Sequence, residues 1–139
     1  MRVCGVELKG NEAVVAMVAL DRGLYHWLPC RTNKFTLRVD NQVDEIRKFQ
    51  YAFSKLLHDY QIEQVVVLER PHKGRFMGSA MSFKLEAAIQ LIKEVPTALI
   101  SHADVNNFVD EHPLPEVGLK AFQRQAFLSA YAWLGLHKK

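Results

Sequence analysis

Two glutamates stand where carboxylates can do chemistry. The run Val3-Cys4-Gly5-Val6 ends in Glu7, and the run Val65-Val66-Val67-Leu68 ends in Glu69. An isolated glutamate after a strand reads most simply as an acid facing solvent. Two of them, each closing an apolar strand and predicted to lie on neighbours, point instead to a functional pair. Such a pair can hold one hydrated Mg²⁺, weakly, because that ion keeps several of its waters. A second feature follows Glu69 directly. The stretch Arg70-Pro71-His72-Lys73-Gly74-Arg75-Phe76-Met77-Gly78 carries three cations and a histidine, with Phe76 and Met77 between two glycines. Lysine and arginine make salt-sensitive phosphate contacts, and an exposed aromatic can stack on a base. The plainer reading is a solvated basic loop with Phe76 folded back onto the core. Lys84, one turn into the following helix, either extends the basic surface or simply lies in solvent.

The remaining polar residues narrow the chemistry. None of the six histidines pairs with another at a metal-binding spacing such as i,i+4. His26 lies in an apolar strand and reads as packed at the core edge, whereas His102, just past the last strand, could face the glutamates. Cys4 and Cys30 form neither a metal spacing nor a disulfide framework. There is no phosphate-cradling Walker loop, no GxGxxG after a strand and no GxSxG elbow.

The elements that must position these groups follow from periodicity. Residues 2–8 make a short apolar strand, and 13–20 are apolar nearly throughout, which is how a strand buried on both faces reads. Asp21-Arg22-Gly23 is a turn signal before a third strand at 24–28, giving an antiparallel meander. A loop over 29–41 holds a short extended piece around 35–39. Val43, Ile46, Phe49, Phe53, Leu56, Leu57 and Tyr60 then recur at three and four, one face of a helix. Residues 62–68 form a central parallel strand. A helix follows from the N-cap Ser79 to about Glu94, then a last strand at 97–100 and a short helix at 104–109. A long helix over roughly 116–136 places Leu119, Phe122, Ala126, Ala130 and Trp133 on one face. The fold class is therefore α/β: a mixed five-stranded sheet, the three-strand meander plus two parallel strands, with helices on both faces.

Composition agrees. A chain of 139 residues, 49% hydrophobic and 24% charged, fits one domain over 1–139 with a real core. The net charge of +3 and pI near 8.9 permit a phosphate-rich partner without demanding one. No apolar stretch approaches the ~18 residues needed to cross a membrane, and the N-terminus runs straight into a strand. A cytoplasmic protein with no membrane partner is the expectation, and a homodimer is left open.

That element order resembles the ribonuclease H-like fold, and four segments are similar to RuvC-type Holliday-junction resolvases. Val3-Cys4-Gly5-Val6-Glu7 resembles the family's opening strand, which runs through a glycine into an acidic metal ligand, usually aspartate. Val65-Val66-Val67-Leu68-Glu69 resembles the fourth strand, which also ends in glutamate. The stretch from Ser79 through Phe83-Lys84-Leu85-Glu86-Ala87-Ala88 resembles the helix that follows, and residues 101–109 the helix after the last strand. The whole chain also resembles a small bacterial family known as domain of unknown function 3010.

The resemblance implies a Mg²⁺- or Mn²⁺-dependent nuclease or resolvase-like protein acting on structured nucleic acid, with Glu7 and Glu69 as catalytic metal ligands. The residues themselves offer Arg70, His72, Lys73, Arg75, Phe76 and Lys84 as the expected nucleic-acid contact. The final helix departs from the pattern. Resolvases carry paired aspartates there, whereas Lys120-Ala121-Phe122-Gln123-Arg124-Gln125-Ala126 has no acid. Further metal ligands would have to come from Asp104 or Gln125, with Asp110 and Glu116 also in reach; Gln125 lies roughly 60° around a helix from Phe122. The alternative is a non-catalytic nucleic-acid- or protein-binding module that has lost part of the carboxylate site. A phosphate-handling protein from another branch of the fold is a third reading.

Overall fold

In a computed structural model, the protein is described over residues 1–38, 42–70 and 78–137. The elements run β1 (Arg2–Lys9), β2 (Glu12–Asp21), β3 (Leu24–Leu28), β4 (Lys34–Thr36), α1 (Val43–Asp59), β5 (Gln64–Leu68), α2 (Ala80–Gln90), β6 (Thr97–Ile100), α3 (His102–Glu111), a 3-10 turn (Ala121–Gln123) and α4 (Arg124–His137). The sheet order is β3-β2-β1-β5-β6, with β4 pairing β2 beside β3. The meander is antiparallel, and β1-β5-β6 are parallel. The sheet thus has six strands rather than five. The extra one is three residues at the start of the extended piece, too short to show a period.

Each face carries its own core. Cys4, Val6, Leu8, Val15, Met17, Val65 and Val67 pack against α1 and α2 residues such as Phe53, Leu57, Leu85 and Ile89. Val3, Val14, Ala16, Val18, Val66 and Leu68 pack against Val105 and Phe108 of α3 and Ala126, Ala130 and Tyr131 of α4. Central strands covered on both sides must be apolar at every position, which is why β2 and β5 show no alternation. Between β2 and β3 the two turn residues Arg22 and Gly23 both take positive φ, 54° and 79°. That double requirement is the one a right-twisted two-residue hairpin imposes.

Three helix boundaries differ from expectation. α2 stops at Gln90, because Ile92 and Val95 turn inward to bury themselves against the first core. α3 is longer than 104–109, starting on the N-cap Ser101, whose hydroxyl accepts from the Asp104 amide. The last helix begins eight residues late. Pro113, Pro115 and Gly118 hold that stretch open, and Gly118 passes against the Trp27 ring, where a Cβ would lie 3.3 Å from it. His26 is exposed, not packed, because on β3 it is Tyr25 and Trp27 that turn toward α4.

A further amide was not foreseen. The outer edge of β2 passes from β4 to β3 at Val15, and two groups outside the ladder fill the gap. The Val15 N–H donates to the Asn33 carbonyl at 3.0 Å, and the buried Gln123 Nε2 donates to the Val15 carbonyl at 3.0 Å. The Gln123 side chain thereby anchors the start of α4 on the sheet and satisfies a buried backbone acceptor.

Candidate active site

β1 and β5 are parallel neighbours in the register Val3↔Gln64 through Val6↔Val67. One further step sets Glu7 opposite Leu68, with Glu69 next along the chain. The Glu69 N–H still donates to the Ile100 carbonyl at 2.8 Å, so the end of β6 lies beside it. His102 follows two residues later as the first residue of α3. Glu7, Glu69 and His102 therefore belong to three successive strand ends on the carboxyl edge, where α/β sheets take ligands.

Glu7 shares its sheet face with Val3 and Gly5, toward α4. Its side chain is only 15% exposed, and Oε1 is buried without a hydrogen bond from any described residue. The Lys9 ammonium lies 3.5 Å from that oxygen, but this is an ion pair at long range from a lysine that is itself 55% exposed, not a directed bond. Burial pushes the Glu7 carboxyl above the usual range, while Lys9 and the more distant His102 pull it partly back. An acid held this way is a disfavoured anion with the Lys9 ammonium as its cationic partner. Glu69 is exposed just beyond the end of β5.

Arg70 turns the other way. Leu68 packs into the α3–α4 core, and simple alternation would send Arg70 after it; instead its guanidinium lies on α2. Arg70 lies beyond Leu68, the last residue of β5, so its side chain is not bound by the strand's alternation. Arg70 Nε donates to Ser82 Oγ at 3.1 Å, Nη2 meets Glu86 Oε1 at 3.2 Å, and the group lies 4.5 Å above the centre of the Phe83 ring. At 10% exposure for Arg70 and 14% for Glu86, this ion pair is part of the fold, and the guanidinium is not presented to a phosphate. His72, Lys73, Arg75 and Phe76 lie outside the described residues. Lys84 is exposed on α2. Asp104 is exposed in the first turn of α3, and Gln125 is half-buried in the first turn of α4.

Among the described residues, no group of three or more His, Cys, Asp or Glu side chains could hold a metal ion. A cage of several carboxylates is not what these residues fit. A single hydrated cation would have two carboxylates at adjacent strand ends to use, Glu7, with the Lys9 ammonium 3.5 Å from its buried Oε1, and the exposed Glu69. Lys9 and Ser82 were missed from the sequence. Lys9 had a signal, as the only charge beside Glu7; the link from Ser82 to Arg70 had none.

The model of the family described as Protein of unknown function (DUF3010) matches residues 1–133. The chain belongs to that family. Among solved structures, this DUF3010 protein is similar to RuvC of Thermus thermophilus, with TM-score 0.75 and 14% identity over 95% of this chain and 92% of that one. It is also similar to T. thermophilus RuvC in complex with Holliday junction substrate, at TM-score 0.70 and 14% identity over 99% and 96%. The fowlpox virus resolvase with its substrate Holliday junction DNA matches at TM-score 0.59 and 10% identity over the whole of both chains. These likenesses show a RuvC-like, ribonuclease H-like fold for the family member. No curated protein matches the chain. No helix among the described residues is long and apolar enough to cross a membrane.

Proposed function

We propose that this protein is a resolvase-like nuclease of the cytoplasm that engages branched nucleic acid, with Glu7 and Glu69 sharing one Mg²⁺ or Mn²⁺. The observation that carries this reading is the buried Glu7 carboxylate at the carboxyl end of β1, whose Oε1 has no hydrogen bond and only the Lys9 ammonium at 3.5 Å among the described residues, beside the strand that ends at Glu69. When bound, such an ion lowers the pKa of a water for attack on a phosphodiester. Glu7 contributes a carboxylate already stripped of water, and Glu69 an accessible one that faces incoming substrate. Arg70 keeps the end of β5 on α2, and the basic stretch after it in sequence, with Lys73 and Arg75, supplies phosphate contacts. The fold shared with two resolvases solved on junction DNA supports the substrate class. A homodimer would offer two such sites to the two-fold arrangement of a four-way junction.

One observation favours a second reading, a binder without catalysis: the Lys9 amine already sits beside Glu7, and no third acid among the described residues joins the pair. A synthetic four-way junction and a linear duplex of the same sequence separate the two. The nuclease reading expects Mn²⁺-dependent nicking of the junction in preference to the duplex. Binding to the junction without nicking, at any Mn²⁺ concentration, would establish the binder. In either case affinity should fall steeply with salt, and replacing Lys73 and Arg75 together by alanine should flatten that dependence. A protein that ignores both nucleic acids at low salt would end the proposal.

A further inference from the structure

The start of α2 touches both strand ends that carry the glutamates. Ser79, its N-cap, accepts from the Ser82 amide at 3.1 Å and donates its hydroxyl to the Gly10 carbonyl at 2.9 Å. Gly10 is the turn directly beyond Glu7 and Lys9. One turn along, the Ser82 hydroxyl donates to the Ser79 carbonyl at 2.7 Å and accepts from Arg70 Nε at 3.1 Å. Arg70 is the residue after Glu69, and Glu86 holds its far side at 3.2 Å. A continuous polar chain thus runs from the β1–β2 turn through Ser79, Ser82 and Arg70 to Glu86. Its geometry leaves no slack: a Cβ at Gly78 would lie 2.8 Å from Arg70 Nε and 2.9 Å from Ser82 Oγ. Ser82 is fully buried, so each of its bonds is made where an unmade one is costly.

We infer that this chain is a clamp that fixes the separation of the Glu7 and Glu69 strand ends, with Ser79, Ser82, Arg70 and Glu86 as positioning residues. The inference rests on the reading of those glutamates as a working pair. The β1–β5 pairing runs only to Val6↔Val67, so Glu7 and Glu69 both lie past its last paired positions. The clamp spans the gap that the ladder leaves. Its members touch neither substrate nor ion; they act through the two carboxylates, as outer partners do for ligands they orient.

Amide hydrogen exchange and Mn²⁺ calorimetry on the full chain test it with Ser82→Ala, which empties the middle link without adding bulk. Exchange at the Glu69 amide, bonded to Ile100, should rise at least about fivefold, the worth of one hydrogen bond, with the central Val66 amide unchanged. Mn²⁺ affinity should fall about tenfold. Ser79→Asp, at the helix cap, keeps the acceptor for the Ser82 amide but has no proton for Gly10. It should speed exchange at Leu37, whose amide bonds the neighbouring Asn11 carbonyl, and weaken Mn²⁺ equally; this variant also decides the matter if Ser82→Ala does not fold. Glu69 and Val66 rising together, or neither rising, would overturn the clamp by reducing it to ordinary stability or to nothing. A wild-type protein that binds no Mn²⁺ would remove the metal pair, while the exchange pattern would still decide the clamp.

Discussion

Glu7→Gln should leave a protein that folds better and does not cleave. Glutamine keeps the shape and can still accept at Oε1, but it brings no charge into a site where burial already disfavours the anion. At neutral pH, without metal, the variant should gain about 1 kcal/mol, or about 4 °C in thermal midpoint. The sign with pH is fixed. The folded carboxyl titrates above its unfolded value, so between the two values the folded state binds more protons and stability falls as pH rises. The wild type therefore carries its full penalty above the raised value and sheds it as pH falls through that value. The gap between variant and wild type should close on the same acid side, as paired melting curves would record. Excess Mn²⁺ should raise the wild-type midpoint and leave Glu7→Gln where it was, because only a state that binds the ion is stabilised by it. A gap that keeps its size across the acid range would mean the Glu7 charge is not what burial penalises.

Gly5→Ala should be the most damaging single methyl in the sheet. At this position a Cβ would run into the Ala126 carbonyl oxygen and lie 3.0 Å from the Ala130 Cβ, so the obstacle is helix backbone that cannot rotate away. α4 must lift off β1, and the second core opens with it. The expected loss is ~3 kcal/mol or more, with a midpoint at least about 10 °C lower. Gly10→Ala is the control. It has φ of +55° but nothing within 4 Å, so it meets only the left-handed backbone penalty of about 1 kcal/mol. Equal effects at the two positions, in chemical denaturation, would show that α4 does not press on β1 as closely as described.

The parts of this fold that were legible in the sequence are those governed by one rule at a time. The unbroken apolar run from Ala13 to Leu20 can only be a covered strand, and α1 could be read because its Phe49, Phe53, Leu56 and Leu57 face a single core. The start of α4 obeyed two rules at once. Leu119 and Phe122 continue its apolar spacing, yet Pro115, Gly118 and the Gln123 bond to Val15 hold them in an open segment and a 3-10 turn. At the site, Glu7 and Glu69 were visible because each ends a strand. Arg70 looked like the first of three surface cations, and its place inside the fold depends on Glu86 and Ser82, one turn apart on a helix that sequence distance hides. Side-chain partners joined only by tertiary packing leave no periodic trace.

The way α4 seals β1 has a consequence for how the chain is made. Of the described elements β1 is made first and α4 last, yet they pack so closely that a Cβ at Gly5 would run into Ala126. Until α4 is synthesised, the sheet face carrying Val3, Val14, Val18 and Val66 lacks the cover that α4 gives it beside α3. Between the making of β1 and that of α4 the nascent chain therefore carries a partly bare apolar wall, a state prone to clumping and to chaperone capture. Losing α4 would strand the polypeptide in that condition, so this helix sets when the sheet becomes safe as much as what shape it has.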